Sequence, residues 1–348
     1  MQSLYYVGLD VHKKTVSACV KLADGTIVNE AKLAARPSAL IEWARTLDRP
    51  WKGGMEATLF TGWIYDTLNP LASGLVVGNP LMMRAIGASK KKNDRLDARK
   101  IADLVRCGLM PACYMPPPEF RELRRVLRYR NFLVRQAVKM KNKTAGLLME
   151  TGCEYNKKRL HGKKYFEELL GTLDTIPGSV KEMMRFNREM MVTFDRCQQK
   201  LLDALENKPL IAERVERLQS IRGVGQVVAL TWVLEIADPK RFSSIDRAQS
   251  YCGLTSAQKE SAGKSARGPI SKQRNPHLQH ILIEAAHLAP RWNEGLKEVK
   301  EREEKRGNKN RAALAVARKM VAYLLAVDKS GKPFEDRRAK KDDASEKK

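Results

Sequence analysis

Apolar residues fall in strand-length runs up to about residue 80 and change to helical spacing further on. The first run ends at Asp10, a second covers Thr15–Leu22, and a third covers Thr26–Leu33 beyond an Asp24-Gly25 turn, which predicts a three-strand meander. Pro37 suits the first turn of a helix reaching Leu47. A short strand ending at Met55-Glu56, a helix over Thr61–Leu68 and a buried strand over Leu75–Val77 are expected next.

Hairpin strands followed by alternating helices and strands predict an α/β domain with a mixed sheet over residues 1–115, the pattern of an RNase H-like domain. A dinucleotide fold would need a glycine-rich loop after its first strand, and that place holds Asp10-Val11-His12-Lys13. Pro111 and Pro116-Pro117-Pro118 mark a boundary. Beyond it, Phe120, Leu123, Leu127, Val134, Ala137 and Leu148 lie close to a heptad stripe, and Met183, Phe186, Met190, Phe194, Cys197, Leu201 and Leu205 recur every three or four residues. These segments predict an antiparallel, coiled-coil-like helical arm over 119–210.

A mainly helical domain is expected over 216–328. Ile221-Arg222-Gly223-Val224-Gly225 reads as a hairpin between helices whose glycines let backbone approach a phosphate. Arg241–Leu254 reads as a capped helix ending near Gly253, residues 255–272 as a polar, basic loop, Pro276–Ala289 as a helix, and Ala312–Ala326 as a closing helix. Residues 329–348 read as a charged, disordered tail.

Charge narrows the function. The 348 residues carry 65 Lys plus Arg against 40 Asp plus Glu, a formal net charge of +25, which implies a polyanionic partner, with nucleic acid the usual one. No apolar run approaches the roughly 20 residues of a spanning helix and no secretory segment precedes the first strand, so neither a membrane nor export is expected. The six cysteines form no CxxC pair, which disfavours structural zinc and fits a reducing cytoplasm. Residues 119–164 hold fourteen basic and four acidic residues, marking the arm, with Arg124, Arg125, Arg128, Lys139, Lys141 and Lys143, as a phosphate surface.

The candidate chemistry is acidic. Asp10 and Glu56 each close a predicted strand, and Asp94 and Asp97 share one face of a helix that follows Lys90-Lys91-Lys92. Two divalent ions about 4 Å apart need several carboxylates to offset their charge, and hard oxygen ligands favour Mg²⁺ or Mn²⁺. Lys13, Lys14 and Lys90 to Lys92 would draw a phosphate backbone to that rim. Asp103, two turns on, is expected on a solvated helix face.

In order and spacing, Gly8-Leu9-Asp10-Val11-His12-Lys13, Met55-Glu56-Ala57-Thr58, Asn93-Asp94-Arg95-Leu96-Asp97-Ala98, Ile221-Arg222-Gly223-Val224-Gly225, Tyr251-Cys252-Gly253-Leu254 and Ser261 through Lys272 resemble the IS110 transposases, also called the IS116/IS110/IS902 group. The resemblance implies a RuvC-like domain with an acidic tetrad at Asp10, Glu56, Asp94 and Asp97. It also implies a C-terminal transposase domain with a serine nucleophile, assigned to Ser261, with Ser256 and Ser265 as competitors. The family's usual Ser-Ser-Gly-Gly is here Glu260-Ser261-Ala262-Gly263. Lys259, Lys264, Arg267 and Lys272 would steer DNA to that segment. A bridge RNA pairing with target and donor DNA, and a homodimer assembling to a tetramer, are implied with it, in a cytoplasmic, nucleoid-associated protein. A RuvC-like nuclease that activates water and a non-catalytic nucleic-acid scaffold are the alternatives.

Overall fold

The computed structural model describes residues 4–86, 94–172, 176–261 and 264–335. The chain divides into two compact units, Met1–Pro118 and Glu119–Lys348.

The first unit is built on β1 (Tyr5–Val11), β2 (Thr15–Lys21), β3 (Ile27–Ala34), α1 (Pro37–Arg45), β4 (Trp51–Glu56), α2 (Thr61–Leu68), β5 (Gly74–Gly78), α3 (Pro80–Ile86), α4 (Asp94–Arg106) and β6 (Ala112–Cys113). The six strands form one mixed sheet in the order β3-β2-β1-β4-β5-β6. β1 pairs antiparallel with β2 and parallel with β4, so it lies inside the sheet and both its faces are covered. β6, a two-residue strand antiparallel to β5, was not foreseen, because two residues carry no periodicity.

Side-chain alternation along β1 divides its environment. Tyr5, Val7, Leu9 and Val11 share one core with Leu40 and Trp43 of α1 and with Ile64 and Leu68 of α2. On the opposite face, Gly8 meets α4: a β-carbon there would overlap the Ala98 carbonyl oxygen and the Ala102 amide nitrogen. Gly54, beside Gly8 in the parallel register, performs the same service one strand over, where a β-carbon would lie 2.5 Å from Val105 and 3.4 Å from Ile101. Two glycines side by side thus make a flat bed for a helix whose contact stripe is Ala98, Ile101, Ala102 and Val105.

The second unit contains α5 (Pro118–Glu150), α6 (Lys163–Thr172), α7 (Gly178–Glu206), α8 (Pro209–Gln219), α9 (Gln226–Ile236), α10 (Ile245–Tyr251), β7 (Ser256–Ser261), β8 (Lys264–Ile270), α11 (Pro276–Leu288), α12 (Glu294–Glu304) and α13 (Lys309–Ser330). Leu123 and Leu127 of α5 share a core with Leu202 and Leu205 of α7, whereas Leu147 and Leu148 share another with Met184, so the two long helices run in opposite directions. The larger core gathers on α9, buried from Val228 to Ile236, and on Val316, Met320, Val321 and Leu324 of α13. Asp328 locks α13 in place: it accepts two bonds from Arg214, at 2.9 and 2.8 Å, and one from the Trp232 indole at 2.9 Å.

Residues 255–272 differ from the expected loop. β7 and β8 form an antiparallel ribbon in which Ser261 pairs with Lys264 and Glu260 with Ser265. Their polar composition hid it, since neither strand has an apolar face to report. The expected tail also begins later, because α13 continues to Ser330 and Phe334 packs against Tyr323, ring centres 4.7 Å apart. Residues 336–348 lie outside the described residues. Among the described residues no helix is long and apolar enough to cross a membrane.

The glycine bed yields a direct test. Gly8→Ala should destabilise the first unit by about 1–3 kcal/mol or more, because the new methyl meets helix backbone that cannot rotate aside. A denaturant titration following this unit, with hydrogen exchange on α4, measures it; unchanged protection of α4 would refute the close contact.

Candidate functional site

The sheet brings two of the expected carboxylates to one edge. Gly8 registers with Gly54 and Leu9 with Met55 in the parallel pair, so Asp10 and Glu56 follow at the same carboxyl-terminal rim. Each lies two residues beyond its α4-facing glycine, and strand alternation therefore turns both toward α4. Asp10 is partly shielded, its side chain 18% exposed, and its Oδ2 lies 3.1 Å from His12 Nε2, the ring nitrogen donating when protonated.

Ion pairs set the direction of α4. Arg99 bonds Glu30 of β3, which stands in line with Cys19 and Gly8, whereas Asp103 bonds Lys21, which stands opposite Tyr6. Advancing along α4 therefore means retreating along β1, and the helix amino terminus comes to the Asp10 end. Asp94 opens α4 and Asp97 follows within its first turn. Asp97 is half-exposed and lies 3.4 Å from Lys100 Nζ. The side chain of Asp94, like Lys90 to Lys92 entirely, lies outside the described residues. Among the described residues no three His, Cys, Asp or Glu side chains converge as a metal site. The donors that do gather, strand-end carboxylates, are of the hard oxygen kind that suits Mg²⁺ or Mn²⁺.

Glu30 is the neighbour of this helix that sequence reading missed. Arg99 reaches both its oxygens, at 2.6 and 2.8 Å, and Arg95 also binds it. Hydrogen bonds from Arg99 and then Arg95 hold its carboxyl down at about 2. The clamp grips the first two turns of α4, the turns that carry Asp94 and Asp97. Arg95 and Arg99 recur at i and i+4, but their acidic partner is more than sixty residues away, so no local spacing signals it. Asp103 keeps a half-exposed side chain, as expected of a solvated helix face, but it also accepts a bond of 2.6 Å from Lys21, whose side chain is only 8% exposed.

In the second unit, the expected phosphate contacts fall into two groups. Arg128 makes paired bonds of 2.8 Å to both oxygens of Glu235, a carboxylate with no exposed surface, and Arg124 lies 3.7 Å from it while donating to the Leu234 carbonyl at 2.8 Å. Burial pushes the Glu235 carboxyl up, but Arg128, Arg124 and Asn275 outweigh it and hold it below the usual value. Asn275 donates to Glu235 at 2.8 Å while its carbonyl caps α11. Arg124 and Arg128 thus serve the helical core. The signal for this was present in α9, where one carboxylate interrupts an apolar run and must find a cation. Arg125, Lys139, Lys143 and Lys272, with Lys13 and Lys14 in the first unit, are exposed, Lys141 is half-exposed, and none of them makes an ion pair among the described residues.

Ser261 ends β7, Ser256 begins it, and Ser265 lies on β8 opposite Glu260. The side chains of Lys259, Ser261, Lys264, Ser265 and Arg267 lie outside the described residues.

Glu30 predicts a pH dependence. Its folded carboxyl titrates at about 2, against an ordinary 4.5, so its stabilisation is complete above 4.5 and is lost as pH falls toward 2. Thermal melts of wild type and Glu30→Gln should differ most near neutrality and converge through that window; a gap that stays constant on acidification would exclude the clamp.

Comparison with known proteins finds matches in both units, the first of them running past the unit boundary into α5. Residues 7–152 match a family model described as transposase, of the DEDD type of IS110 elements, and residues 215–301 match one described as transposase of the IS116/IS110/IS902 family. The chain is 28% identical over 245 residues to the transposase for insertion sequence element IS1111A of Coxiella burnetii, covering 68% of this chain and 66% of that protein. It is 22% identical over 223 residues to the putative transposase y4qE of Sinorhizobium fredii, covering 64% and 54%. A probable family 20 transposase of Pseudomonas aeruginosa is 23% identical over 249 residues, covering 68% and 72%. The chain thus spans less than two thirds of the length of the first two relatives. Matches in both units make the chain a homologue of the IS116/IS110/IS902 family of transposases.

Proposed function

We propose that the protein is a DNA transposase that cleaves and exchanges strands with a metal-binding acidic site and a serine nucleophile. The observation that carries this reading is the pair Asp10 and Glu56, at the carboxyl-terminal ends of adjacent parallel strands on the face that receives α4. With Asp94 and Asp97 on the first turn of that helix, they form the tetrad of a RuvC-like domain. Mg²⁺ or Mn²⁺ held by these four would supply Lewis-acid polarisation of a phosphodiester. His12 orients Asp10, and the Glu30 clamp holds the acidic turn of α4 at the strand rim.

Ser261, at the end of a β-ribbon in the second unit, is the nucleophile of this reading. Its Oγ forms a bond to phosphorus as the bond to the leaving sugar oxygen breaks; the seryl proton passes to a base and the leaving oxygen takes one up. Lys259, Lys264, Arg267 and Lys272 draw the phosphate backbone to the ribbon. The exposed cations of the coiled-coil-like arm hold target and donor DNA and a structured bridge RNA, contacts that give affinity without reading sequence. Guidance by RNA accounts for a chain that recombines DNA yet has no recognisable sequence-reading module, and assembly from homodimer to tetramer brings acidic site and serine together.

Asp10→Asn should lower strand cleavage in Mg²⁺ by about a hundredfold or more while leaving folding and most nucleic-acid binding intact. Separate Ser256→Ala, Ser261→Ala and Ser265→Ala proteins, assembled with the element's RNA and both DNA substrates and then denatured, locate the nucleophile by mass spectrometry of any DNA-linked peptide. Loss of the adduct in Ser261→Ala alone is expected. Normal recombination by Asp10→Asn would sink the acidic site, and efficient cleavage without an adduct in wild type would replace the serine with water.

A further inference from the structure

The turn between α8 and α9 lines a cavity of about 870 Å³, within the range of roughly 300–1,000 Å³ typical of small-molecule sites. Its walls include Arg222 and Gly223 from the turn and Arg291, Trp292, Asn293 and Glu294 from the segment entering α12. Gly223 has φ +90°, and a β-carbon there would lie 2.8 Å from the Ala289 Cα, so only glycine lets the turn sit against that segment. Asn293, buried, joins the two from inside: its amide donates to the Arg222 carbonyl at 3.3 Å and its carbonyl accepts from the Leu296 amide at 3.1 Å. The frame is therefore fixed, while the groups it presents are exposed.

Those groups are two guanidiniums and an indole. Arg222 and Arg291 make no ion pair among the described residues, and the acidic wall residue Glu294 is engaged by Lys297 at 3.3 Å. Trp292 is 57% exposed, whereas Trp43, Trp51 and Trp232 are at most 7% exposed. An exposed indole alone is unremarkable on a protein surface. Beside two unpaired guanidiniums in one cavity, on a chain of net charge +25, it matches a ligand that has both an anionic group and an aromatic face.

We infer that this cavity holds one nucleotide of an unpaired strand, with phosphates on Arg222 and Arg291 and the base stacked on Trp292. A duplex hides its base faces in its own stack, so the indole selects single strands, and stacking without base-edge hydrogen bonds tolerates any sequence. The inference rests on the nucleic-acid reading above and adds to it a second unit surface for unpaired DNA or RNA.

Fluorescence anisotropy of labelled oligo(dT), oligo(U) and a duplex of equal length tests it with the full chain. Trp292→Ala should weaken single-strand binding about five- to hundredfold and duplex binding less than about twofold, while Trp292→Phe keeps most of the affinity. Wild-type tryptophan emission should be quenched by the single strands. Joint Arg222→Ala and Arg291→Ala should reduce the slope of log affinity against log salt by about 1.4, the equivalent of two single-strand phosphates. Circular dichroism and melting temperature establish that each variant folds. Stronger binding of oligo(dT) or of oligo(U) identifies the strand as DNA or RNA. Unchanged affinity and absent quenching, or equal losses for single strand and duplex, would overturn the stacking site. Asp10→Asn, measured alongside, separates the two readings: strand chemistry surviving in that variant refutes the acidic site and leaves the cavity standing, whereas an inert Trp292→Ala does the reverse.

Discussion

The first unit depends on backbone meeting backbone where α4 crosses β1. Packed layers ordinarily stand apart because side chains fill the gap, about 10 Å for one sheet stacked on another. Gly8 and Gly54 remove the side chains from the sheet and Ala98 and Ala102 minimise them on the helix, so α4 seats directly on the strands. A helix seated that closely has little freedom to slide or tilt. Its amino-terminal turn is thereby fixed near the rim where Asp10 and Glu56 end their strands, and the Glu30 clamp and the Lys21–Asp103 pair fix its rotation.

This arrangement sets negative charge at one rim of the sheet. Asp10 and Glu56 sit at the same end of neighbouring parallel strands, and like charges on adjacent strands disfavour each other. The fold tolerates them because β1 and β4 are held by the apolar core on the opposite face. Basic residues divide in the same way. Arg95, Arg99, Arg124, Arg128 and Arg214 each neutralise a particular carboxylate and hold two elements together, which removing either partner would expose as an unpaired charge. The exposed lysines, with Arg125, Arg222 and Arg291, carry the positive surface outward. Net charge alone describes both groups, and only the partners distinguish them.

Much of the first unit was legible because its burial is periodic. The three opening strands, α1, α2 and α4 appear near the expected places, since runs such as Tyr5–Leu9 and Thr15–Val20 have no other way to leave water. The strand-end positions of Asp10 and Glu56 were legible for the same reason, as were the long helices α5 and α7. The ribbon of β7 and β8 was not: its strands are held by ladder hydrogen bonds with no apolar stripe, and a chain that pairs through its backbone leaves little trace in side-chain type.

Local order along the chain therefore specified the apolar strands, the long helices, the boundary prolines and the placement of Asp94 and Asp97 within one turn of a helix, because each depends on residues within a few turns. Tertiary structure alone decided which cations bond Glu235, Glu30 and Asp328, and that Arg222 and Arg291 line one cavity. Those pairings span tens to more than a hundred residues, and their specificity comes from distance and direction in space, which the spacing of residues along a chain does not encode.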